Sequence, residues 1–343
     1  MVKNPKKILI IRTDRIGDVV LSTPVIQNLR EHFKSAHIAF MCLPYTREIL
    51  EGNPYLDEVI VYDKYGIHKN LFSSIKFSFY LRRKKFDWAI ILHPTTRVNM
   101  VTFLAGIPFR IGWDKKGGFL LSKKIFHNKQ EGKKHELDYT LDVLREMDLS
   151  IIFKETYFPV IQKSEEVVKN LLKSQGINEN DKFIVINPSA SCPSKRWPQK
   201  NFIKLIGLLR DRINIKILVI TSKAEKELAQ EIVGQKGVID LRGKVSILEL
   251  GALLKRSNLL ISNDSGPVHI AASLNTPVIA IFGRKNPGLS PKRWKPLGEN
   301  SFYFHKDAGC KICLAHNCKK HFFCLNIITP LEVAEKVFSL LLK

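Results

Sequence analysis

The sequence of 343 residues has no long apolar run and few acidic residues. No segment approaches the roughly 18–20 consecutive apolar residues that a membrane-spanning helix requires, so no such helix is expected. The first apolar run, Ile8–Ile11, is too short for the hydrophobic core of a signal peptide. We therefore expect a soluble protein that stays in the cytoplasm.

Acidic residues are scarce beside basic ones: 32 Asp and Glu stand against 55 Lys and Arg, and the formal net charge is +23. Such an excess attracts anions, among them nucleic acids, anionic lipid headgroups and phosphorylated substrates. No nucleic-acid-binding module is recognisable, and we expect no nucleic-acid partner. The charge alone does not select among the remaining anions.

The three-glycine fingerprint of dinucleotide-binding enzymes is also missing. The loop that follows the first predicted strand, Arg12–Asp18, holds only Gly17. In the fingerprint, glycines let the backbone approach a pyrophosphate closely, so its absence argues against a dinucleotide-dependent oxidoreductase.

Short apolar runs alternate with helix-like segments along nearly the whole chain. Uniformly apolar strands separated by helices are typical of parallel sheets covered on both faces. We therefore predict an α/β fold with two doubly wound domains and a boundary between Ile151 and Asp181. The predicted strands are Lys7–Arg12, His37–Cys42, Glu58–Tyr62, Asp87–Leu92, Phe183–Asn187, Lys216–Thr221, Val238–Leu241, Leu259–Ser262 and Val278–Phe282. The predicted helices are Val19–Phe33, Thr46–Glu51, Lys69–Lys84, Asn201–Arg212, Ala224–Val233, Ser246–Arg256, Val268–Leu274 and Pro330–Leu342. Beyond the last predicted strand, Arg284–Asn326 is expected to be irregular, basic and rich in cysteine.

A polar turn, Ser262–Pro267, joins a predicted strand to a predicted helix. The unpaired amides at a helix start suit a phosphate, Gly266 permits close approach, and Pro267 fits the first helical turn. An ordinary strand–helix turn capped by Asp264 or Ser265 explains the same pattern.

Asp18 follows a glycine at the carboxyl end of the first strand, where functional side chains collect in this architecture. A carboxylate at that place can accept a proton from a substrate hydroxyl. The alternative is that Asp18 only caps its helix.

The loop after strand Phe183–Asn187 carries hydroxyl groups and cations. Ser189 and Ser191 can donate to phosphate oxygens, and Lys195 can neutralise a diphosphate leaving group. The alternative is a surface loop with a solvated Lys195. Glu225, beyond the next strand, could bind the two hydroxyls of a ribose or simply favour the first turn of its own helix.

Three segments form an ordered set: ILIIRTDRIGDVVLSTP at residues 8–24, Asn187–Ala190 followed by Lys195–Pro198, and NDSGPVHIAA at residues 263–272. In order and spacing they resemble the bacterial ADP-heptose:lipopolysaccharide heptosyltransferases, glycosyltransferase family 9. The similarity spans essentially the whole chain. Ala105–Trp113 and the cysteine-rich tail look most like the heptosyltransferase II branch.

The resemblance implies a GT-B fold, in which two Rossmann-like domains face each other across a cleft. Residues 1–160 would bind the acceptor, 161–328 the nucleotide sugar, and the helix in 329–343 would pack back toward the first domain. It also implies an inverting, metal-independent transfer of heptose from ADP-heptose to the lipopolysaccharide inner core, without a cofactor. The acceptor would be a phosphorylated Kdo-lipid A or the growing core, and the enzyme would lie peripherally at the cytoplasmic face of the inner membrane.

The resemblance assigns roles residue by residue. Asp18 matches the general base, and Lys195 matches the residue that steadies the diphosphate. The donor-binding loop is matched by Asp264, Ser265, Gly266 and His269. Glu225 matches the ribose-binding acid, although Thr221-Ser222-Lys223 stands where a glycine-rich turn is usual. Arg97, Arg110 and Lys115 are candidate acceptor-binding cations, but none of them specifies the glycan.

Four cysteines, Cys310, Cys313, Cys318 and Cys324, follow the spacing C-x2-C-x4-C-x5-C. Their density suggests a structural zinc site or redox pairing, but the two well-separated pairs of a zinc ribbon are missing. Reduced thiols in a packed loop are the expected arrangement, and no metal is expected for the reaction.

Two other functions stay open. One is a GT-B transferase that uses another nucleotide sugar or acceptor. The other is a non-catalytic basic protein that binds nucleic acid or a membrane, which would show salt-sensitive affinity for polyanions without nucleotide selectivity.

Overall fold

The computed structural model describes residues 4–342. They divide into two compact units, one running to Gln130 and including Glu136–Pro159, the other comprising Glu131–His135 and the chain from Val160 onward. The predicted boundary between residues 160 and 161 lies one residue from this division. The short segment that joins the second unit ahead of the boundary was not predicted.

Each unit contains one parallel sheet with helices in its crossover connections. The strands are β1 (Lys7–Ile11), β2 (His37–Cys42), β3 (Glu58–Val61), β4 (Trp88–Ile91), β5 (Phe109–Trp113), β6 (Lys123–Ile125), β7 (Phe183–Asn187), β8 (Lys216–Val219), β9 (Val238–Asp240), β10 (Leu259–Asn263), β11 (Val278–Phe282) and β12 (Ser301–His305). The helices are α1 (Ile16–Val20), α2 (Thr23–His32), α3 (Leu71–Lys84), α4 (Thr96–Leu104), α5 (Glu136–Arg145), α6 (Gln162–Ser174), α7 (Gln199–Arg212), α8 (Gln230–Val233), α9 (Ile247–Arg256), α10 (Gly266–Ser273), α11 (Pro291–Trp294), α12 (Phe323–Asn326) and α13 (Pro330–Leu341). Short 3-10 helices lie at Pro44–Ile49, Gly118–Leu120, Lys129–Glu131, Pro193–Lys195, Lys223–Ala229, Pro287–Leu289 and Ala315–Asn317.

The first sheet has the strand order β3-β2-β1-β4-β5-β6. Its centre is β1, in which Ile8–Ile11 pair with β2 on one side and β4 on the other. The apolar faces of α3 and α4 cover one side of this sheet, where Phe77 and Val98 join the core that contains Leu9. Burial of these side chains on both faces explains why the central strands are apolar throughout.

The second sheet repeats this order as β9-β8-β7-β10-β11-β12. Trp197, Phe202 and Val337 belong to its core, where α13 packs on α7. Both sheets thus have the doubly wound order, and the predicted α/β class with two parallel-sheet domains is confirmed. The predicted return of the last helix to the first domain stays a prediction.

The single helix predicted over Val19–Phe33 is wrong, because the chain forms α1 and α2 with a break at Leu21–Ser22. Pro24 has no amide hydrogen and cannot donate to the carbonyl of Val20. The hydroxyl of Thr23 donates to that carbonyl instead, over 2.7 Å. The break therefore follows directly from the proline.

The expectation that Arg284–Asn326 is irregular is also wrong. Ser301–His305 forms β12, which pairs in parallel with β11 at the edge of the second sheet. In the first sheet, β5 and β6 were missed as well. β6 and β12 are edge strands, which are buried on fewer sides, so polar residues interrupt them and weaken their apolar pattern. β5 lies inside its sheet, but Arg110 and Gly112 interrupt its apolar pattern.

Within residues 4–342, no helix is long and apolar enough to cross a membrane.

Candidate active site

In each sheet the order in which successive strands are added reverses between two adjacent strands. These are β1 and β4 in the first sheet and β7 and β10 in the second. At such a switch point the connections leave toward opposite faces, and ligands bind beyond the carboxyl ends of the two strands. In the first unit these ends lead into Arg12–Asp18 and His93. In the second they lead into Asn187–Ser189 and Asp264–Gly266.

At the first edge, Arg12 is buried and bonded to three carboxylates. Its Nε donates to Asp14 over 2.9 Å, and its Nη2 donates to Asp18 over 2.5 Å and to Glu136 over 3.0 Å. Lys129 donates to the same oxygen of Glu136 over 3.0 Å. Glu136, at the start of α5, thereby joins the loop after β1 to the first turn of a helix far along the chain.

Asp18 does not act as a helix cap. The N-cap of α1 is Arg15, and the Asp18 carboxylate is directed to Arg12 instead. Burial raises the pKa of Asp18 to about 6, the neighbouring Asp14 carboxylate adds to the rise, and Arg12 opposes it. The five groups comprise three carboxylates and two cations, so one negative charge is in excess. Burial together with that imbalance gives Asp18 a pKa at which a carboxylate can accept a proton near neutral pH.

His93, just past the end of β4, is a site residue that the sequence analysis missed. Burial, with a smaller contribution from the nearby Arg12 and Lys64 cations, lowers its pKa to about 3. The imidazole is therefore neutral at physiological pH. Its Nδ1 lies 3.9 Å from Asp14 Oδ2 and, like Nη1 of Arg12, has no hydrogen-bond partner among the described residues.

In the second unit, two asparagines tie the ends of β7 and β10 together. Asn187 donates to Ser262 over 3.1 Å and to Ser265 over 2.8 Å. Asn263 donates to the Pro188 carbonyl over 2.6 Å and accepts from the Trp197 amide over 2.9 Å. These bonds bring the predicted loops Asn187–Ala190, Lys195–Pro198 and Asn263–Gly266 to one place.

Asp264 is buried at this edge and shares one carboxylate oxygen between two cations. Lys195 Nζ lies 3.1 Å from Oδ2, and Arg284 Nη2 donates to the same atom over 2.7 Å. Lys195 is only 13% exposed, so it is not the solvated surface lysine of the alternative interpretation. Two cations against one carboxylate leave an excess positive charge, as an anion site requires.

The helix that begins beside this triad is α10. In its first turn Pro267 has no amide hydrogen and the Val268 amide donates to the Ser265 carbonyl over 3.2 Å, so the Gly266 amide is the one left for a ligand among the amides of that turn. Its N-cap residue Ser265 makes no capping hydrogen bond to the described chain, and its hydroxyl contacts Asn187 instead. Gly266 and Pro267 are the first two helical residues. The structure therefore does not have the turn capped by the Ser265 side chain that the alternative describes. The dipole of α10 adds positive potential at its N-terminus.

His269, in the second turn of α10, is buried. Desolvation, with a smaller contribution from nearby His135, lowers its pKa to about 3. Its Nδ1 has no hydrogen-bond partner within residues 4–342. A neutral, buried imidazole with an unused nitrogen can accept or donate one hydrogen bond to a ligand.

The other residues predicted to bind the nucleotide sugar lie in different surroundings. Ser189 is buried and donates to the side chain of Asn187 over 2.9 Å, so it belongs to the cluster. Ser191 lies two residues further on and is exposed. Glu225 lies in the 3-10 helix Lys223–Ala229 and accepts from Ser222 over 2.9 Å, a local contact of the kind that the helix-turn alternative describes.

The candidate acceptor cations are held in different ways. Arg97 donates to the carbonyls of Lys64 and His68, both over 3.2 Å. Arg110 donates to the carbonyls of Leu120 and Ile107, so its side chain is used in backbone contacts beside its own strand, β5. Lys115 is exposed.

The four tail cysteines line one cavity of about 360 Å³ in the second unit. All are free thiols, as are Cys42 and Cys192. Burial, with smaller contributions from the other three sulfurs, raises the pKa of Cys324 to about 11. In the described part of the chain, no group of three or more His, Cys, Asp and Glu side chains is arranged to hold a metal ion.

Three further contributors were missed, two of them for a common reason. Glu136 and Lys129 lie more than a hundred residues from Asp18, so no local pattern connects them. Arg284, by contrast, comes two residues after the end of β11. A cation at a strand end of this architecture is a signal that sequence reasoning could have used.

Comparison with known proteins supplies the family. Residues 75–322 match glycosyltransferase family 9 (heptosyltransferase). Lipopolysaccharide heptosyltransferase 3 of Escherichia coli K12 is 26% identical over 338 residues, 95% of either chain. Lipopolysaccharide heptosyltransferase 2 of the same strain is 26% identical over 352 residues, 98% of this chain and 99% of the relative.

The solved structure of E. coli ADP-heptose lps heptosyltransferase II matches the present fold with a TM-score of 0.80 at 23% identity, covering 98% of each chain. This likeness confirms the predicted fold, and the family match confirms the predicted resemblance. The chain belongs to glycosyltransferase family 9 (heptosyltransferase) and is a glycosyltransferase with the GT-B fold.

Proposed function

We propose that the protein transfers heptose from ADP-heptose to the inner core of lipopolysaccharide, with inversion at the anomeric carbon. The relatives are named as lipopolysaccharide heptosyltransferases, and one carries ADP-heptose in its name. The observation that carries the proposal is the sharing of the Asp264 carboxylate by Lys195 and Arg284 at the start of α10. The two cations supply positive charge at the place where the nucleoside diphosphate would leave.

The donor diphosphate would bind to the Gly266 amide and to the two cations. Lys195 and Arg284 retain donors beyond those that contact Asp264, and these can bind phosphate oxygens. His269 would donate or accept one further hydrogen bond. Ser189 and Ser191 are proposed to contact the phosphates, and Glu225 the ribose, as the family resemblance implies.

Asp18 would be the general base. It would take the proton from the acceptor hydroxyl as that oxygen bonds to the anomeric carbon, and the bond to the diphosphate would break as ADP leaves with the electron pair. Lys195 and Arg284 would stabilise the charge that develops on the leaving group. Because side-chain cations supply this charge, we propose that the transfer needs no metal, and EDTA should leave its rate unchanged.

The acceptor would be phosphorylated Kdo-lipid A or the growing core, and Arg97, Arg110 and Lys115 are proposed as its contacts. An acceptor embedded in a bilayer places the enzyme peripherally at the inner face of the inner membrane. Nucleic acid is not proposed as a partner.

Titration calorimetry with ADP, UDP, GDP and a short DNA duplex tests the donor. We expect ADP to bind at least about tenfold more tightly than UDP or GDP, since a discriminating hydrogen bond typically contributes about 1–3 kcal/mol. Preference for UDP or GDP would keep the transferase chemistry and change the donor. Binding of DNA alone would contradict the proposal.

A further inference from the structure

The outer face of α3 is both apolar and basic. Four exposed residues follow the spacing i, i+4, i+7, i+11, which places them on one side of the helix: Phe72, Lys76, Phe79 and Arg83. Phe72 is 81% exposed and Phe79 is 55% exposed. Exposed aromatic side chains aligned on one helix mark an interaction surface. We call these four residues the α3 stripe.

Apolar residues continue on both sides of the α3 stripe. The loop before the helix exposes Tyr65 and Ile67, each more than 70%. The neighbouring helix α4, which packs against α3, exposes Phe103 and Leu104. The opposite face of α3 is used for folding, because Phe77 and Leu81 are buried in the core of the first sheet. The outward apolar residues are therefore not required for the core.

The charge of this region has one sign. Residues 64–86 contain seven lysines and arginines and no aspartate or glutamate, and α4 also has no acidic residue. Of the basic side chains, Lys84 is already paired with Glu58 from β3. Lys76, Arg82, Arg83 and Lys85 are exposed.

We infer that the α3 stripe is the surface by which this protein docks on an anionic lipid bilayer. Phenylalanine side chains can enter the boundary between headgroups and acyl chains, while the long stems of lysine and arginine keep their charges at the phosphates. Each basic residue near such a surface contributes about 1 kcal/mol to binding. A nucleic-acid duplex would use the charge, but its stacked base pairs offer no apolar interior into which Phe72 and Phe79 could insert.

This assignment rests on the proposed action at a membrane-bound acceptor, which it deepens by naming the surface. It differs from the sites at the strand ends, because none of the four stripe residues belongs to either one. Changes in the α3 stripe should therefore affect membrane binding and leave nucleotide binding alone.

Vesicle flotation tests the inference with vesicles of phosphatidylcholine, alone or mixed with phosphatidylglycerol. The wild type should bind only the anionic vesicles. Lys76→Gln/Arg83→Gln should weaken binding roughly 25-fold, since each removed charge is worth about fivefold. Phe72→Ser/Phe79→Ser should weaken binding to the anionic vesicles at least about tenfold.

The matched controls are Lys200→Gln/Lys204→Gln, exposed on α7, and Leu331→Ser, exposed on α13. They should bind like the wild type.

The same variants are titrated with ADP and assayed on detergent-dispersed acceptor, and both readouts should equal those of the wild type. Failure of the wild type to bind anionic vesicles, or equal binding by the stripe variants and the controls, would overturn the inference while leaving the proposed function intact. Binding of a short RNA or DNA duplex in place of vesicles would also overturn it. Stripe-dependent vesicle binding without any heptosyl transfer would support the docking surface and contradict the proposed function.

Discussion

Arg12 Nη2 lies 2.5 Å from Asp18 Oδ1, and the same nitrogen lies 3.0 Å from Glu136 Oε1. The arginine therefore cannot neutralise Asp18 fully, because two further carboxylates compete for it. A buried aspartate next to a single unshared arginine would have a lowered pKa, whereas here burial and the excess of carboxylates raise it.

On the acid side, the pH dependence of kcat/KM should be set by protonation of Asp18. Its pKa of about 6 means that the base is protonated, and inactive, below that pH. The value of kcat/KM should therefore fall about tenfold for each pH unit below about 6. Glu136→Gln should move this limb to lower pH, because it removes a negative charge and leaves Arg12 to Asp14 and Asp18.

The position of a pH limb does not depend on how much enzyme is folded, so a purely structural loss in Glu136→Gln would not move it. Glu31→Gln, at an exposed carboxylate on α2, serves as the control. A limb that stays at the wild-type pH in both variants would exclude Glu136 as the residue that positions Arg12.

Arg284 should contribute to ADP binding as strongly as Lys195. Arg284→Ala and Lys195→Ala should each weaken ADP affinity roughly ten- to a hundredfold, as expected for loss of a hydrogen bond to a charged group. Arg284→Lys should recover part of the loss. Titration calorimetry measures all three.

The matched control is Lys285→Ala, one residue along the chain, whose Nζ pairs with Asp307 at 2.9 Å. It should bind ADP like the wild type. Equal affinity in Arg284→Ala and Lys285→Ala would remove Arg284 from the donor site.

Asn263 should be important for the stability of the second unit. It is fully buried, and Asn263→Ala would leave the Pro188 carbonyl and the Trp197 amide without their partner. Two unsatisfied buried groups cost about 2–5 kcal/mol of unfolding free energy. Urea denaturation of Asn263→Ala beside Asn300→Ala, at an exposed asparagine, measures the difference. A cost within about 1 kcal/mol of the control would mean that water replaces the lost bonds.

Strand ends were the most predictable part of this molecule. β1, β7, β10 and β11 are buried along nearly their whole length, so each contains a run of at least three apolar residues, and the polar residues that follow this run are conspicuous. Asp18, Lys195 and Asp264 could be found in this way. β6, with the sequence Lys-Lys-Ile, and the half-exposed β12 could not, because edge strands carry polar residues.

The partners of the site residues were less predictable than the residues themselves. The sharing of Asp264 by Lys195 and Arg284 depends on how α10 and β11 are placed beside β7, which no local spacing encodes. The same holds for Glu136, which is brought to Arg12 from 124 residues away. Hydrogen bonds across such separations become visible only in the folded chain.

Transfer by Asp18→Asn, compared with its affinity for ADP, tests the central claim most directly. Asparagine keeps the shape and the bond from Arg12 but cannot accept the proton. With ADP-heptose and Kdo-lipid A, we expect transfer to fall at least about a hundredfold, the usual contribution of a general base. ADP affinity should stay within about twofold of the wild type, as it should in Asp148→Asn, a control at an exposed aspartate that should keep full activity. Transfer at the wild-type rate, or an equal loss of transfer and of ADP binding, would contradict the assignment of Asp18 as the base.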